Sequence, residues 1–328
     1  MKYCRLQKNK TISLSKVGLG CVTFGREIDE STSFKLLDHA FENGINWFDT
    51  AEGYGGGNAQ LYRKNFLNVN DIREKTNLMS SSEIILGKWI KSRKCLNNIN
   101  ICTKVSTGNS PDNIKRAIQA SLERLKVNKV DIYKLHSPDN SVPLSESISA
   151  LNDLVSSNLT KVIGCSNFKY SQLKESLEIC KKFKYDRFEI IQNPFNLVAA
   201  EDKNTILPFC KNNKIFVTSY SPLAAGFLTG KYTQDKPFPK GSRFDIIPGH
   251  ADIYFKEKNF QIAANLKNLS KKYKIPLNKL ALSWVFNTNL IDSVIIGARK
   301  ISHIDNALSS MEFELDQQIN QEIENIIS

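Results

Sequence analysis

The feature that most constrains this chain is an alternation repeated eight times along its length. A short run of apolar, β-branched residues is followed by a longer stretch with apolar residues at helical spacing. The runs are Val17–Cys21, Ile45–Thr50, Ile99–Val105, Lys129–Leu135, Lys161–Cys165, Phe188–Gln192, Ile215–Tyr220 and Ser293–Ile296. Helices are predicted around Ser33–Glu42, Glu83–Lys91, Pro111–Leu125, Ser145–Ser156, Tyr170–Lys181, Glu201–Lys211, Asn259–Lys272 and Leu277–Phe286. Pro111 and Pro276 stand near two of the starts, where a missing N–H costs least. Apolar runs alternating with helices describe parallel strands buried on both faces. Eight such units in 328 residues predict an α/β fold, a (β/α)8 TIM barrel forming one domain over residues 1–328. Two stretches ahead of the first unit, Tyr3–Gln7 and Thr11–Ser15, read as a short N-terminal hairpin. A doubly wound sheet is the alternative, but Gly18, Gly20 and Gly25 do not form the G-x-G-x-x-G turn a dinucleotide-binding version needs.

Composition narrows the function classes. At 41% hydrophobic and 24% charged residues the chain is ordinary globular protein. No run reaches 18 apolar residues, so no membrane span is expected. The start, MKYCRLQKNK, has no apolar stretch after its charges, and a cytoplasmic location follows as the expectation. Seven cysteines without a C-x-x-C pair read as reduced thiols, and the four scattered histidines suggest no metal site. The net charge of +12 raises the question of nucleic acid. The lysines are dispersed and not interleaved with stacking aromatics, so no nucleic-acid partner is expected. Such a charge can still steer anionic cofactors or substrates.

In a barrel, residues at the C-terminal ends of strands face the active-site mouth. There the second run supplies Asp49 and, five residues on, Tyr54; the third supplies Lys104; the fourth supplies His136. Asp49 and Lys104 lie on neighbouring strands and can pair, satisfying two buried charges together. A lysine cation beside a tyrosine is expected to lower the phenol's pKa. His136 would orient a substrate carbonyl, and Tyr54 would be the general acid at its oxygen. The buried cysteines Cys21, Cys102 and Cys165 are expected to pack as small apolar residues, and Trp47, Trp89 and Trp284 to belong to the core.

The sequence resembles the aldo-keto reductase family, in the branch of bacterial reductases and potassium-channel β-subunits. The resemblance rests on VGLGCVTFG (Val17–Gly25), NWFDTAEGYG (Asn46–Gly55), SSEIILGKWI (Ser81–Ile90), ICTKV (Ile101–Val105), LHSPD (Leu135–Asp139), IGCSNF (Ile163–Phe168), IQNPFN (Ile191–Asn196), YSPLAAGFLTGKY (Tyr220–Tyr232) and VIIGAR (Val294–Arg299). These motifs come in the family's order. The resemblance implies an NADPH-dependent reductase of aldehydes or ketones, with NADH as the lesser cofactor and the tetrad Asp49, Tyr54, Lys104 and His136. It implies further that Ser166, Asn167 and Gln192 hold the nicotinamide carboxamide and that Tyr220 stacks on the ring. Ser221, Leu223, Gly226, Leu228 and Lys231 would line the pyrophosphate. Arg299, assisted by Ser302 and His303, would sit near the adenosine phosphate, and Gly297 and Asn306 would also bind the cofactor. A small-molecule carbonyl compound is the implied partner, with a homo-oligomer open.

Three departures stand out. Where the family often has Glu-Asn to hold adenine, this chain has Asp305, Asn306 and then Ala307. On the resemblance, with the sequence ending at Ser328, the long C-terminal loop of the mammalian steroid and aldose reductases is not expected. Lastly, Gly56–Ser82 replaces a short turn beside Tyr54. Its large apolar residues (Leu61, Tyr62, Phe66, Leu67, Val69, Ile72, Leu78, Met79) predict a packed loop. Its positive charge suggests either part of a substrate pocket favouring an anionic or strongly polar carbonyl compound, or a buttress or oligomer contact. Two other functions compete: a cofactor-carrying partner module like the channel β-subunits, and an aldolase-like barrel using Lys104 as a Schiff base.

Overall fold

The computed structural model describes all residues from Met1 to Ser328. Eight parallel strands close into a barrel: β3 (Val17–Gly20), β4 (Trp47–Asp49), β5 (Asn100–Val105), β6 (Val130–Leu135), β7 (Thr160–Ser166), β8 (Ile190–Pro194), β9 (Phe216–Tyr220) and β10 (Ser293–Gly297). Each pairs with its sequence neighbour, and β10 returns to pair with β3, Val294 opposite Val17. The expected α/β barrel is therefore present, with strand limits within two residues of the sequence reading. No helix is long and apolar enough to cross a membrane.

The outer layer follows the strands as α1 (Glu30–Glu42), α3 (Ser81–Arg93), α4 (Pro111–Leu125), α5 (Leu144–Ser156), α6 (Tyr170–Phe183), α7 (Ile206–Asn212), α11 (Leu277–Asn287) and α12 (Ile301–Met311). Additional helices are α2 (Asn58–Leu67), α8 (Arg243–Ile246), α9 (Ala251–Tyr254), α10 (Glu257–Tyr273) and α13 (Gln317–Ile327). Of these, α2, α8, α9, α12 and α13 were not among the predicted helices. The helix predicted as Glu201–Lys211 is instead a 3₁₀ turn over Glu201–Asn204 and then α7. The cause is Pro208, which lacks an N–H and sits in the first turn of α7, where that donor is not needed.

The N-terminal hairpin, β1 (Tyr3–Arg5) with β2 (Ser13–Ser15), stoppers the lower end of the barrel. There Leu6, Ile12 and Leu14 meet an inward ring of Trp47, Cys102, Ile132, Val162, Ile190, Phe216 and Ile295. Gly18 makes room for Trp47: a Cβ there would lie 2.2 Å from the indole. Side chains along a strand return to the same face every second residue. The next inward ring is therefore Asp49, Lys104, Lys134, Gly164, Gln192, Thr218 and Gly297. The barrel changes from apolar to charged within one layer. That change places the site.

Candidate active site

Three charged side chains occupy the upper layer, all buried. Lys104 Nζ donates to Asp49 Oδ2 (2.6 Å), to the Thr50 carbonyl (2.7 Å) and to Tyr54 Oη (3.4 Å). Its three ammonium protons are thereby matched. Lys134, directly across the β5–β6 pair from Lys104, donates to Gln192 Oε1 at 2.8 Å. Its Nζ lies 3.8 Å from Asp49 Oδ1, an oxygen without a hydrogen-bond partner. Gln192 Nε2 donates to Asp49 Oδ2 at 3.2 Å. One carboxylate thus faces two ammonium groups. Burial opposes ionisation of Asp49, but Lys104 and then Lys134 hold its pKa below the usual carboxylate value. Burial likewise disfavours the Lys104 cation, and Asp49 outweighs it, so the lysine stays charged above its ordinary range.

Lys134 was absent from the sequence reading. Its signal was available: it stands two residues after Ile132 and so points inward, and it pairs in register with Lys104.

Tyr54 lies on the loop after β4, half-buried, with Lys104 Nζ 4.6 Å from its ring centre. The expected lowering of its pKa is not the net effect. Burial of the phenol outweighs Lys104, and the value is raised above the ordinary tyrosine figure. His136, just beyond β6, meets the Tyr54 ring edge to face at 5.3 Å. Burial, then Lys104, pushes its pKa down to about 3, so the imidazole is neutral at physiological pH. Ser106 Oγ lies 2.6 Å from His136 Nδ1 and also accepts the Gly53 N–H at 3.2 Å. Ser106 is a second residue that sequence reasoning missed.

Beyond the tetrad, Asn167 has a left-handed backbone (φ 62°). Its Nδ2 donates to the His136 carbonyl (2.8 Å), and its Oδ1 accepts from Tyr220 Oη (2.7 Å). Ser166 Oγ donates to the Gln192 carbonyl. After β9 the chain takes left-handed conformations at Ser221 (φ 53°), Ala224 (φ 49°), Ala225 (φ 57°) and Gly226 (φ 92°). Left-handed backbone at an alanine costs about 1–2 kcal/mol per residue. Such a concentration of strain marks a built loop. Leu223 and Gly226 are half-exposed there. Leu228 is not open to a ligand: its side chain is buried and its N–H donates to the Leu223 carbonyl.

A cationic group gathers at the rim. Lys231 and His303 both have lowered pKa values, first by burial and next by Arg299. The Arg299 N–H donates to His303 Nδ1, and Arg299 Nη1 donates to the Gly241 carbonyl. No carboxylate pairs with Lys231, Arg299 or His303. Gly297, Ser302 and Asn306 are exposed nearby along the chain. Asp305 instead pairs with His39 of α1 at 2.6 Å, and Ala307 is buried in the core. The three tryptophans are core residues, and burial raises the thiol pKa of Cys21, Cys102 and Cys165.

The Gly56–Ser82 segment is packed, but by charge. Arg63, fully buried in α2, donates to Asp71 (2.8 Å), Glu74 (2.6 Å) and the Ile246 carbonyl (2.6 Å). Arg73 donates to Asp71 and Asp245. The expected apolar packing is overturned for Leu61, Phe66, Leu67, Ile72, Leu78 and Met79, which remain exposed. Isolated apolar residues gain little where no second layer covers them, whereas a guanidinium can satisfy several acceptors at once. The two glycines at its start admit the returning chain: a Cβ on Gly56 would lie 1.6 Å from the Thr76 carbonyl oxygen, and one on Gly57 2.7 Å from that of Asn77.

Comparison with known proteins agrees with this architecture. The family model described as the aldo/keto reductase family matches residues 16–328. Aldo-keto reductase YhdN of Bacillus subtilis is 29% identical, covering 97% of this chain and 92% of its own. The NADH-specific methylglyoxal reductase of Escherichia coli is 27% identical, covering 93% and 92%. A protein of Arabidopsis thaliana named "Probable voltage-gated potassium channel subunit beta" is 28% identical, covering 95% and 92%.

Proposed function

The chain belongs to the aldo/keto reductase family of oxidoreductases, and we propose that it reduces an aldehyde or ketone with NADPH, using Tyr54 as the general acid. The observation that carries this reading is the ammonium of Lys104, held between the Asp49 carboxylate and the Tyr54 hydroxyl. Burial makes Tyr54 a reluctant acid in the free protein. Its proton is nevertheless placed beside a fixed cation that stabilises tyrosinate once the proton has left. Lys134 adds positive charge to the same layer. Ser106 donates to His136 Nδ1 in this scheme, leaving the proton on Nε2 to hydrogen-bond the substrate oxygen.

The bound nicotinamide would supply the hydride. The donor set fits such a group. Lys231 and Arg299, with the neutral His303 beside them, form a cationic group without an internal anion, matched to a phosphate. The strained Ser221–Gly226 loop presents backbone to a pyrophosphate, through Ser221, Leu223 and Gly226 rather than Leu228. Tyr220 would offer a ring face, and Ser166, Asn167 and Gln192 amide or hydroxyl groups for the carboxamide. Gly297 and Asn306 would border the adenosine. Because Arg299 provides a bidentate fork near a neutral histidine donor, NADPH is favoured over the NADH named for the Escherichia coli relative. All these groups belong to one barrel, and residues 1–328 act as one functional unit.

The test is oxidation of NADPH, followed by absorbance, with a panel of aldehydes and ketones. Turnover that Tyr54→Phe abolishes while cofactor binding persists supports the reading. No turnover with any carbonyl compound, despite tight cofactor binding, would favour the partner-module reading. The exposed apolar residues Leu61, Phe66 and Ile72 supply that reading with a surface.

A further inference from the structure

The inserted segment brings charge to the mouth indirectly. Its own arginines are engaged, Arg63 with Asp71 and Glu74, Arg73 with Asp71 and Asp245. What the segment does is hold two other stretches against the site. Its returning chain donates from Lys75 N–H to the Arg26 carbonyl (2.9 Å) and from Thr76 N–H to the Gly25 carbonyl (3.0 Å). Arg63 and Arg73 also bind the carbonyls of Ile246 and Asp245. The stretches so held are the loop after β3, carrying Arg26 and Glu27, and the α8 region, carrying Arg243 and His250.

The first loop adjoins Tyr54. Ser81 Oγ accepts the Gly56 N–H (3.1 Å) and donates to the Phe24 carbonyl (3.3 Å), tying the Tyr54 loop to the Arg26 loop. A Cβ on Gly25 or Gly55 would strike the same hydroxyl, at 2.1 and 2.4 Å. Both glycines are needed for the loops to close on it. The charge of Arg26 acts on the Tyr54 phenol, favouring its ionised form.

The local charges do not balance. Glu27 receives Arg26 through Nε (3.0 Å) and Nη2 (3.2 Å), and Arg243 through Nη1 (2.7 Å). Two guanidinium groups share one buried carboxylate, which they hold ionised with a pKa of about 2 against the cost of burial. Arg26 Nη1, and Nε and Nη2 of Arg243, have no protein partner, and none is sealed from solvent. His250 stands half-buried beside them; burial, then Arg243 and Arg26, lower its pKa to about 4 and leave it neutral. A surplus positive charge with open donors beside a general acid suits an oxyanion.

We propose that Arg26, Arg243 and His250 form an oxyanion-reading subsite beside Tyr54, and that the substrate is a carbonyl compound bearing a carboxylate or a phosphate. This inference rests on the reading of Tyr54 as the acid. The segment Gly56–Ser82 sets selectivity by positioning these residues, without contributing its own arginines.

The test compares kcat/KM for matched pairs: 4-carboxybenzaldehyde against benzaldehyde, and glyceraldehyde 3-phosphate against glyceraldehyde. The wild type is expected to prefer the charged member of at least one pair by about 10- to 100-fold, the size of a desolvated charge-assisted hydrogen bond. Which pair shows the larger ratio separates carboxylate from phosphate. Arg26→Met should bring that ratio to about one, Arg26→Lys to an intermediate value, and Arg243→Met should reduce it less. A wild-type ratio at or below one in both pairs, or a ratio unchanged in both Met variants, overturns the subsite while leaving the reductase reading intact. A second measurement does not depend on turnover: calorimetric binding of 4-methylbenzoate and 4-methylbenzamide to the cofactor-loaded protein. Tighter binding of the benzoate that Arg26→Met abolishes or, should that variant not fold, Arg243→Met weakens supports the subsite even where no aldehyde is reduced. Equal binding of the two compounds overturns it.

Discussion

The two ends of the barrel are built from the same strands and do opposite things. At the lower end, Trp47, Cys102, Ile132, Val162, Ile190, Phe216 and Ile295 pack under the β1–β2 hairpin and exclude water. One inward step higher, Asp49, Lys104, Lys134 and Gln192 hold two cations and an anion in a buried hydrogen-bonded group. Even the boundary is shared, since Lys134 Nζ stands 5.8 Å from the Trp47 ring centre. The lower ring gains stability from apolar burial at about 25 cal/mol per Å². The upper ring bears a desolvation cost that a purely structural core has no reason to carry. A charged layer set directly on an apolar one is therefore a mark of chemistry.

The comparison is tested most severely at the top. Tyr54→Phe removes one hydroxyl that Lys104 alone contacts within the protein. Turnover should fall by about 10²- to 10⁴-fold, as for loss of a positioned general acid, while thermal stability and cofactor affinity stay near wild type. Single-turnover kinetics with NADPH check it. A Phe variant retaining more than half of kcat, with chemistry rate-limiting, would remove Tyr54 from the mechanism. The mirror experiment is Trp47→Ala. It empties the lower layer and also removes the indole N–H bonds to the Ser15 carbonyl and Ser293 Oγ. A cost of about 3–5 kcal/mol is expected for a buried tryptophan, read by denaturant unfolding. The chemical step of the folded fraction should change by much less than in Tyr54→Phe. If Trp47→Ala instead slows chemistry as strongly, the two layers are one unit through Lys134 and the contrast fails.

The sequence made one half of this contrast easy to read. The barrel was legible because eight β-branched runs recur with helices between them, a pattern that parallel strands buried on both faces require. Asp49, Lys104 and His136 were legible because each ends such a run. Lys134 was not, because a lysine inside an apolar run looks like a residue snorkelling outward; only the inward parity of Ile132 reveals its direction. Helices α8 and α9 were hidden by their length, four residues each, too short for a helical period. The Gly56–Ser82 segment misled for a different reason. Its apolar residues suggested a small core, but the contacts that order it are Arg63 and Arg73 to acceptors near in space, and those to Ile246 and Asp245 are more than 170 positions away. Long-range ion pairing leaves no local trace. The downward push expected on Tyr54 failed likewise, because burial is a property of the assembled loop.

At the outer rim of the upper end, the contrast sharpens between residues for chemistry and residues for affinity. Arg299→Ala should weaken NADPH binding by about tenfold to a hundredfold, the effect of one charge-assisted contact to a phosphate. NADH binding should change little, because NADH lacks the 2′-phosphate. Dissociation constants from quenching of protein fluorescence measure both. Equal wild-type affinities for the two cofactors would assign Arg299 to its contact with the Gly241 carbonyl alone.

The mildest test uses pH, because titratable groups distinguish the two ends. Within the lower ring only the Cys102 thiol titrates, with a pKa that burial lifts to about 12, while at its edge burial raises the Cys4 thiol and the Glu189 carboxyl that accepts the Asn9 N–H. At the upper end His136 is lowered to about 3 from an ordinary value near 6.5. Between those two values the unfolded chain binds a proton that the native protein refuses. Stability therefore rises with pH across the window, is lost as pH falls below about 6.5, and receives no further contribution from this group above it. One such proton sets a limiting slope of about 1.4 kcal/mol per pH unit. His250, lowered to about 4, adds a slope of the same sign over a narrower range. His136→Asn should flatten the profile between pH 4 and 6, measured by urea unfolding at fixed ionic strength. With a neutral aldehyde, kcat/KM should show no inflection near 6.5, because His136 keeps its Nε2 proton donor throughout. Hydrogen exchange at the β1–β2 hairpin supplies the contrast. After correction for intrinsic exchange, any pH dependence of local opening there belongs to Glu189, which accepts the Asn9 N–H, and His136→Asn should leave it unchanged. An inflection near 6.5 that His136→Asn removes would mean that the imidazole is charged in the working enzyme, and would recast it as the proton donor in place of Tyr54.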